Sequence, residues 1–235
     1  MERRLIIAID GPAGAGKSTI AQRLADALGY TKLDTGAMYR ALGLKALEQR
    51  VALDDEPALM DLAERSRIAL QPTAEGGNRV LLDNVDVSSR IRRPEVSDAA
   101  SRISVHPQVR VWMVDRQREM GRGGGVVMEG RDIGTKVFPN AEVKIFLEAS
   151  PEVRAARRLL QDAGRLDDEA KLKAYAEEIR RRDERDRTRA ASPLVPAPDA
   201  VLVDSSALSI DEVVSKVQEL VRAKELDLNT PARME

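Results

Sequence analysis

Residues Gly11 to Ser18 run Gly-Pro-Ala-Gly-Ala-Gly-Lys-Ser, a glycine, four residues, then Gly-Lys-Ser. Each residue type in that spacing suits a polyphosphate. Gly11, Gly14 and Gly16, with Pro12, Ala13 and Ala15 between them, make a turn of little side-chain bulk, so main-chain N–H groups can close around phosphate oxygens. Lys17 can reach β- and γ-phosphates and Ser18 offers a hydroxyl to Mg2+. Thr19 follows in a predicted helix whose N-terminus adds partial positive charge. The chemistry implied is binding of a nucleoside triphosphate. The same loop would serve a GTPase, an ATPase or a small-molecule kinase, so it leaves the acceptor open.

Arginines bear on the acceptor. They stand at Arg40, at Arg110 and Arg131, at Arg154, Arg157 and Arg158 on one predicted helix, and six fall between Arg180 and Arg189. Guanidinium groups stay charged when desolvated and match phosphate oxygens two at a time, as a site clamping two polyanions requires. Arg182, Arg185, Asp186 and Arg189 are spaced i, i+3, i+4 and i+7, one face of a helix, where a carboxylate among arginines can bond ribose hydroxyls. The competing reading is a solvated helix laced with surface ion pairs. Glu129 follows an apolar run, Val126 to Met128, where phosphate-loop enzymes place an acidic residue near Mg2+. His106, the only histidine, and Trp112 are expected to be structural.

Composition narrows the classes. Hydrophobic residues make up 43% of 235 residues and charged residues 33%, a globular balance, with an aliphatic core because aromatics are only 3%. With 38 basic and 39 acidic residues the net charge is −1, so no global field draws the chain to nucleic acid or an anionic membrane. No cysteine is present, which excludes disulfides, thiolate zinc sites and thiol nucleophiles and suits a reducing cytoplasm. The run Leu5 to Ile9 is too short for a signal-peptide core or a membrane span and is expected to be a buried strand.

The elements that must carry these residues alternate. Leu5–Ile9, Val126–Met128, Val143–Leu147 and Ala200–Val203 are apolar enough for strands of a parallel sheet buried on both faces. Helices are expected from Lys17 to Leu28, from about Ala37 to Gln49 with Asp34 and Thr35 as caps, from Pro151 to Ala163, from Lys171 to Arg189 and from Ile210 to Lys224. Between Glu56 and Val105 the alternation breaks. Short strands at 68–70, 80–82 and 85–87, turned at Gly76-Gly77 and near Asn84, predict a small antiparallel insertion, followed by a helical stretch from Pro94 to Val105. The expectation is one α/β domain over 1–225. Its core is about 1–55, 106–150 and 190–225, its insertion lobe about 56–105 and its helical lid about 151–189, with a frayed tail at 226–235.

The segments IDGPAGAGKST (9–19), LDTGAMYR (33–40), EGRDIGT (129–135), VFPNAEVKIFL (137–147) and RRRDERDRTRAASPL (180–194) resemble those of bacterial cytidylate kinases, a branch of the nucleoside monophosphate kinases. The similarity runs from Ile6 to about Ala223. It implies a P-loop kinase core with a central parallel sheet flanked by helices, the inserted β lobe and a helical lid. It implies ATP as phosphoryl donor, Mg2+ held by Ser18 and, through water, by Glu129, and CMP or dCMP as acceptor in pyrimidine metabolism. Ser101, Arg110 and Asp132 would then read the cytosine edge, Arg182 and Asp186 would hold the ribose, and Arg40, Arg131 and Arg189 would grip the CMP phosphate. Thr35 and Tyr39 would line the same pocket. Lys17, Arg131 and Arg189 would align the reacting groups, with Arg154, Arg157 and Arg158 closing over ATP from the lid. Cytosine offers an amino donor where uracil offers a carbonyl, so a carboxylate at Asp132 would disfavour UMP. A monomer without nucleic-acid or membrane partners is expected. The alternatives are a UMP or broad nucleoside monophosphate kinase, and a non-catalytic phosphate-loop protein that binds RNA through its arginine-rich helix.

Overall fold

The computed structural model describes residues 4–73 and 77–229. The first half of the chain forms β1 (Ile6–Asp10), α1 (Lys17–Leu28), β2 (Thr31–Asp34), α2 (Thr35–Glu48), α3 (Glu56–Glu64), β3 (Ile68–Pro72), β4 (Asn78–Leu82), β5 (Val85–Asp86) and α4 (Pro94–Ile103). The second half forms α5 (Pro107–Gly121), β6 (Val126–Gly130), β7 (Val143–Glu148), α6 (Pro151–Ala163), α7 (Glu169–Thr188), β8 (Val201–Asp204) and α8 (Ile210–Asn229).

The main sheet has strand order β2-β6-β1-β7-β8, and every pairing is parallel. Such a sheet must be covered on both faces, which is why its strands are nearly all apolar. On one face Ile7, Ile9, Val127 and Ile145 pack against Leu24 of α1 and Val217 and Val221 of α8. On the other, Ala8, Leu33 and Met128 pack with Ile133 and Val137. Parallel pairing also brings the carboxyl ends of all five strands to one edge, so Asp34, Gly130, Asp10, Glu148 and Asp204 end along it. Ligands of open α/β sheets bind in the crevice beyond that edge.

The insertion carries a three-stranded antiparallel sheet, β3-β4-β5, as its turn residues predict. Asp83 and Asn84 join β4 to β5 with φ of 52° and 68°, the left-handed pair of a tight hairpin. The other expected turn, Gly76-Gly77, lies in part outside the described residues. The insertion shares one core with its surroundings: Leu59, Leu62, Val80 and Leu82 pack with Met38 and Leu42 of α2 and Met113 of α5.

Several elements differ from the sequence reading. Helices α3 and α5 occupy stretches where no helix is expected, each with a proline in its first turn, and α3 is capped by Asp55, whose side chain accepts from Ala58 N. At α2 only Asp34 caps, accepting from Ala37 N; Thr35 is already helical, and its hydroxyl donates to the Glu129 carbonyl. Helix α8 reaches Asn229, past the start of the tail expected to fray, and 230–235 lie outside the described residues. His106 sits against Pro107 with Nε2 2.9 Å from the Leu53 carbonyl, and Trp112 packs on the α2–α5 core.

Candidate active site

Everything at the crevice starts from the turn after β1. Gly11 has φ of 144°, and a Cβ there would stand 2.0 Å from the Leu147 carbonyl oxygen of β7, so no other residue fits without moving backbone. Gly14 has φ of 78° with the Arg154 side chain 3.2 Å from where its Cβ would be. The loop thus wraps closely against the sheet edge and α6. Lys17 is buried, and its Nζ donates to the Pro12 carbonyl at 2.7 Å, folded back on its own loop. Burial first, and the neighbouring Arg131 second, bring its pKa down to about 7.

Ser18 Oγ donates to Glu129 Oε2 at 2.8 Å, which joins the first turn of α1 to the end of β6. Glu129 Oε1 is buried without a hydrogen bond, with Lys32 Nζ 3.5 Å away. Burial and the nearby Asp34 raise the Glu129 pKa. One hydroxyl and one carboxylate, whose second oxygen has no hydrogen bond and only the Lys32 charge nearby, are a donor set that suits a hard cation completing its shell with phosphate oxygens and water. Among the described residues no cluster of three or more acidic or histidine side chains forms a cage that would hold a metal by itself.

Beyond the loop a cavity opens whose lining includes Lys17, Ser18, Glu129, Tyr39, Arg131 and Asp186. All ten residues expected to contact the acceptor line it: Thr35, Tyr39, Arg40, Ser101, Arg110, Arg131, Asp132, Arg182, Asp186 and Arg189. They come from α2, α4, α5, the turn after β6, and α7. Arg110 and Asp132 form a buried pair at 2.5 Å, and Arg110 also donates to the Ser104 carbonyl at 3.0 Å. The Arg110 guanidinium stands over the Tyr39 ring, 5.7 Å from its centroid. Asp186 accepts from Arg131 Nε at 3.0 Å and has Arg189 Nη1 3.5 Å away. Burial opposes the Asp186 charge, but Arg131, Arg182 and Arg189 together hold its pKa below the usual carboxylate range. Arg40 pairs with Asp34 at 2.7 Å.

The arginines of this cavity are not satisfied. Arg40 Nε, Arg110 Nε, Arg182 Nε and Arg189 Nη2 are each buried without a hydrogen-bond partner. Burial and the charge of Arg131 lower the Arg182 pKa to about 10, against the opposing charge of Asp186. A folded chain rarely leaves four such donors unpaired around one cavity unless a ligand supplies the acceptors.

Other expected residues lie elsewhere. Gly11, Pro12, Ala15, Gly16 and Thr19 shape or back the loop without lining the cavity, whereas Ala13 and Gly14 line it. Arg157 donates to the Ser205 side chain and carbonyl, and Arg158 pairs with Glu178 at 2.9 Å over the Tyr175 ring. Neither bonds the loop directly, although Ser205 in turn donates to the Ala15 carbonyl at 3.2 Å. Their neighbour Arg154 does: buried, it donates to the Ala13 carbonyl at 3.0 Å and makes a two-pronged pair with Asp183 of α7. Arg182, Asp186 and Arg189 line the cavity, so that side of α7 is no solvated face, and Arg185, partly exposed, donates to Ser101 Oγ at 2.8 Å. Lys32, Asp34 as a partner of Arg40, and Asp183 also stand at the site without being among the residues expected there. Asp34 could have been found by the rule that pointed to Glu129, an acid closing a strand of a parallel sheet. No helix among the described residues is long and apolar enough to cross a membrane.

Comparison with known proteins adds a family. The family model described as cytidylate kinase matches residues 7–223. A cytidylate kinase of Geobacillus kaustophilus is 51% identical over 226 residues, covering 95% of this chain and 99% of that one. A cytidylate kinase of Pelotomaculum thermopropionicum is 52% identical over 219 residues, covering 92% and 96%. Among solved structures, an uncharacterized protein from Eubacterium ventriosum superposes with a TM-score of 0.51 at 11% identity, covering 94% of this chain and 99% of that one, a likeness of fold.

Proposed function

The chain belongs to the cytidylate kinase family and is a phosphotransferase, and from that premise we propose that it moves the γ-phosphoryl group of ATP to CMP and dCMP. An oxygen of the acceptor's phosphate attacks the γ-phosphorus, the bond to the β–γ bridging oxygen breaks, and ADP and CDP or dCDP leave. The observation that carries this reading is the set of four buried, unpartnered guanidinium nitrogens around one cavity beside the phosphate loop.

Phosphoryl transfer passes through a loose transition state, so the protein's work is alignment and charge neutralisation. Lys17, released from the Pro12 carbonyl by a competing phosphate oxygen, follows the γ-phosphoryl group. Arg40, Arg131 and Arg189 take the acceptor phosphate between them, and Arg182 and Asp186 hold the sugar. Asp132 keeps one oxygen on Arg110 and offers the other to the cytosine amino group, while Ser101 reaches the base from α4. A uracil carbonyl would instead face the carboxylate, two acceptors with no proton between them. Mg2+ would be held by Ser18 and, through water, by Glu129, where it supplies charge neutralisation to the polyphosphate. Arg154 of α6 steadies the loop through the Ala13 carbonyl, while Arg157 and Arg158 would act from the same lid. Closure of α6 and α7 over the nucleotides would exclude water from the reacting groups.

ADP release in the presence of ATP and, in turn, CMP, dCMP, UMP and AMP tests the proposal. CMP and dCMP are expected to drive turnover well above UMP and AMP. Equal rates with all four, or acceptor-independent release, would contradict it.

A further inference from the structure

Asp10 is a buried carboxylate that the mechanism above leaves unused. It closes β1 one residue before the phosphate loop and is 4% exposed. Its two oxygens are both spent on another part of the chain: Oδ1 accepts from Ile133 N at 2.8 Å and Oδ2 from Gly134 N at 2.7 Å. Those two amides open a π-helical turn, Ile133–Val137, that follows Arg131 and Asp132 directly. The turn is closed from within by Lys136 N and Val137 N, which both donate to the Asp132 carbonyl. The backbone of Asp132 is thus fixed from its far side by a turn whose first amides rest on Asp10.

We infer that Asp10 is a positioning residue, which sets Arg131 and Asp132 against the acceptor by holding the turn that follows them, and so ties the acceptor side of the site to the start of the phosphate loop. The inference rests on the reading of Asp132 as a cytosine contact. Three features carry it. Two adjacent amides are met here by two separate oxygens, which a carboxylate supplies, whereas a hydroxyl or amide side chain has only one oxygen to share between them. The link crosses 123 and 124 residues of sequence, so no local structure would replace it. The charge is also held against its own burial, which pushes the Asp10 carboxyl up to about 6 despite the two amides; a buried group kept at such a disadvantage marks a functional constraint.

Asp10→Asn keeps size and shape but places an N–H2 group against one of the two amides. Its expected signature is split: kcat with CMP falls at least tenfold and the CMP-over-UMP ratio of kcat/KM at least fivefold, while KM for ATP stays within twofold. In the 15N–1H spectrum the Gly134 amide proton moves upfield. Should Asp10→Asn fail to fold, Asp10→Ser fits the same space, offers the two amides at most one oxygen, and carries the same expectation. Asp132→Asn in parallel separates the two readings. A ratio lost in Asp132→Asn but kept in Asp10→Asn, with the Gly134 amide displaced, overturns the positioning role alone. A ratio kept in both overturns the reading of the site on which it rests. A rise in KM for ATP equal to the fall in kcat would make Asp10 a general structural support and overturn the inference as well.

Discussion

Replacing Asp132 with asparagine separates what the residue does for the fold from what it does for the base. In the folded chain the carboxylate and Arg110 are 5% and 3% exposed and 2.5 Å apart. Asparagine keeps the shape and removes the charge, leaving Arg110 with the Ser104 carbonyl and a more distant Asp186. Breaking a buried pair of this kind costs about 3 to 5 kcal/mol, which in a chain of this size lowers Tm by roughly 6 to 20 °C. The effect on recognition is separate. Losing the acceptor for the cytosine amino group is worth about 1 to 3 kcal/mol of discrimination, or roughly 5- to 150-fold in the CMP-over-UMP ratio of kcat/KM. The asparagine amide can also donate to the uracil carbonyl, so the ratio should fall because UMP improves as well as because CMP worsens. Steady-state ADP release with each acceptor, at a temperature below the variant's unfolding range, gives the ratio. A ratio within twofold of the unaltered protein's, in a variant whose Tm has dropped as expected, would exclude Asp132 as the reader of the base, because the pair would be broken and the base still read.

Other outcomes follow from the same geometry. Lys17→Met should reduce transfer by at least a thousandfold while urea unfolding stays cooperative, since Lys17 makes one bond to its own loop; retained turnover would remove Lys17 from the mechanism. Glu129→Gln should raise the Mg2+ concentration for half-maximal rate about tenfold, by analogy with loss of a partner in a metal's surroundings, and titrating Mg2+ at fixed ATP measures it. Asp10 should make stability depend on pH with a definite sign. Its folded pKa of about 6 lies above the ordinary 3.8, so burying the charge weakens the fold above pH 6 and not below pH 3.8. At about 1.4 kcal/mol per pH unit the loss is about 3 kcal/mol. Asp10→Asn cannot titrate there, so relative to the unaltered protein it should gain up to about that much between pH 4 and pH 7. A difference that stays constant with pH, from urea unfolding at both values, would contradict the burial argument.

The parts of this architecture legible in the sequence are those with local signals. Strand β1, the loop after it and α1 were visible because Ile6 to Ile9, the glycine spacing and the stripe Ile20, Ala21, Leu24, Ala25 each express their structure within a few residues. Helix α5 was not, because its inward positions include Arg110 and Gln117 beside Val109 and Met113, so apolar periodicity is interrupted where the site begins. Helix α3 is short, and its stripe of Leu59, Leu62 and Ala63 makes sense only against the α2 core. Among the arginines of α6, helical spacing says which share a face but not which face meets the loop. Arg154 does and Arg157 does not, a choice made by how α6 lies against Gly14 and Ser205. Asp10 was the hardest to foresee, since its partners are backbone amides more than a hundred residues away and no pattern of side chains announces them.

Whether one cavity brings the γ-phosphoryl group of ATP to CMP can be seen by following the label. The purified protein is given ATP carrying radioactive γ-phosphate, Mg2+ and an equimolar mixture of CMP and UMP, and the products are separated after less than one turnover. Label is expected in CDP, with little in UDP and little as inorganic phosphate. Label chiefly in UDP, or released as inorganic phosphate, would contradict it.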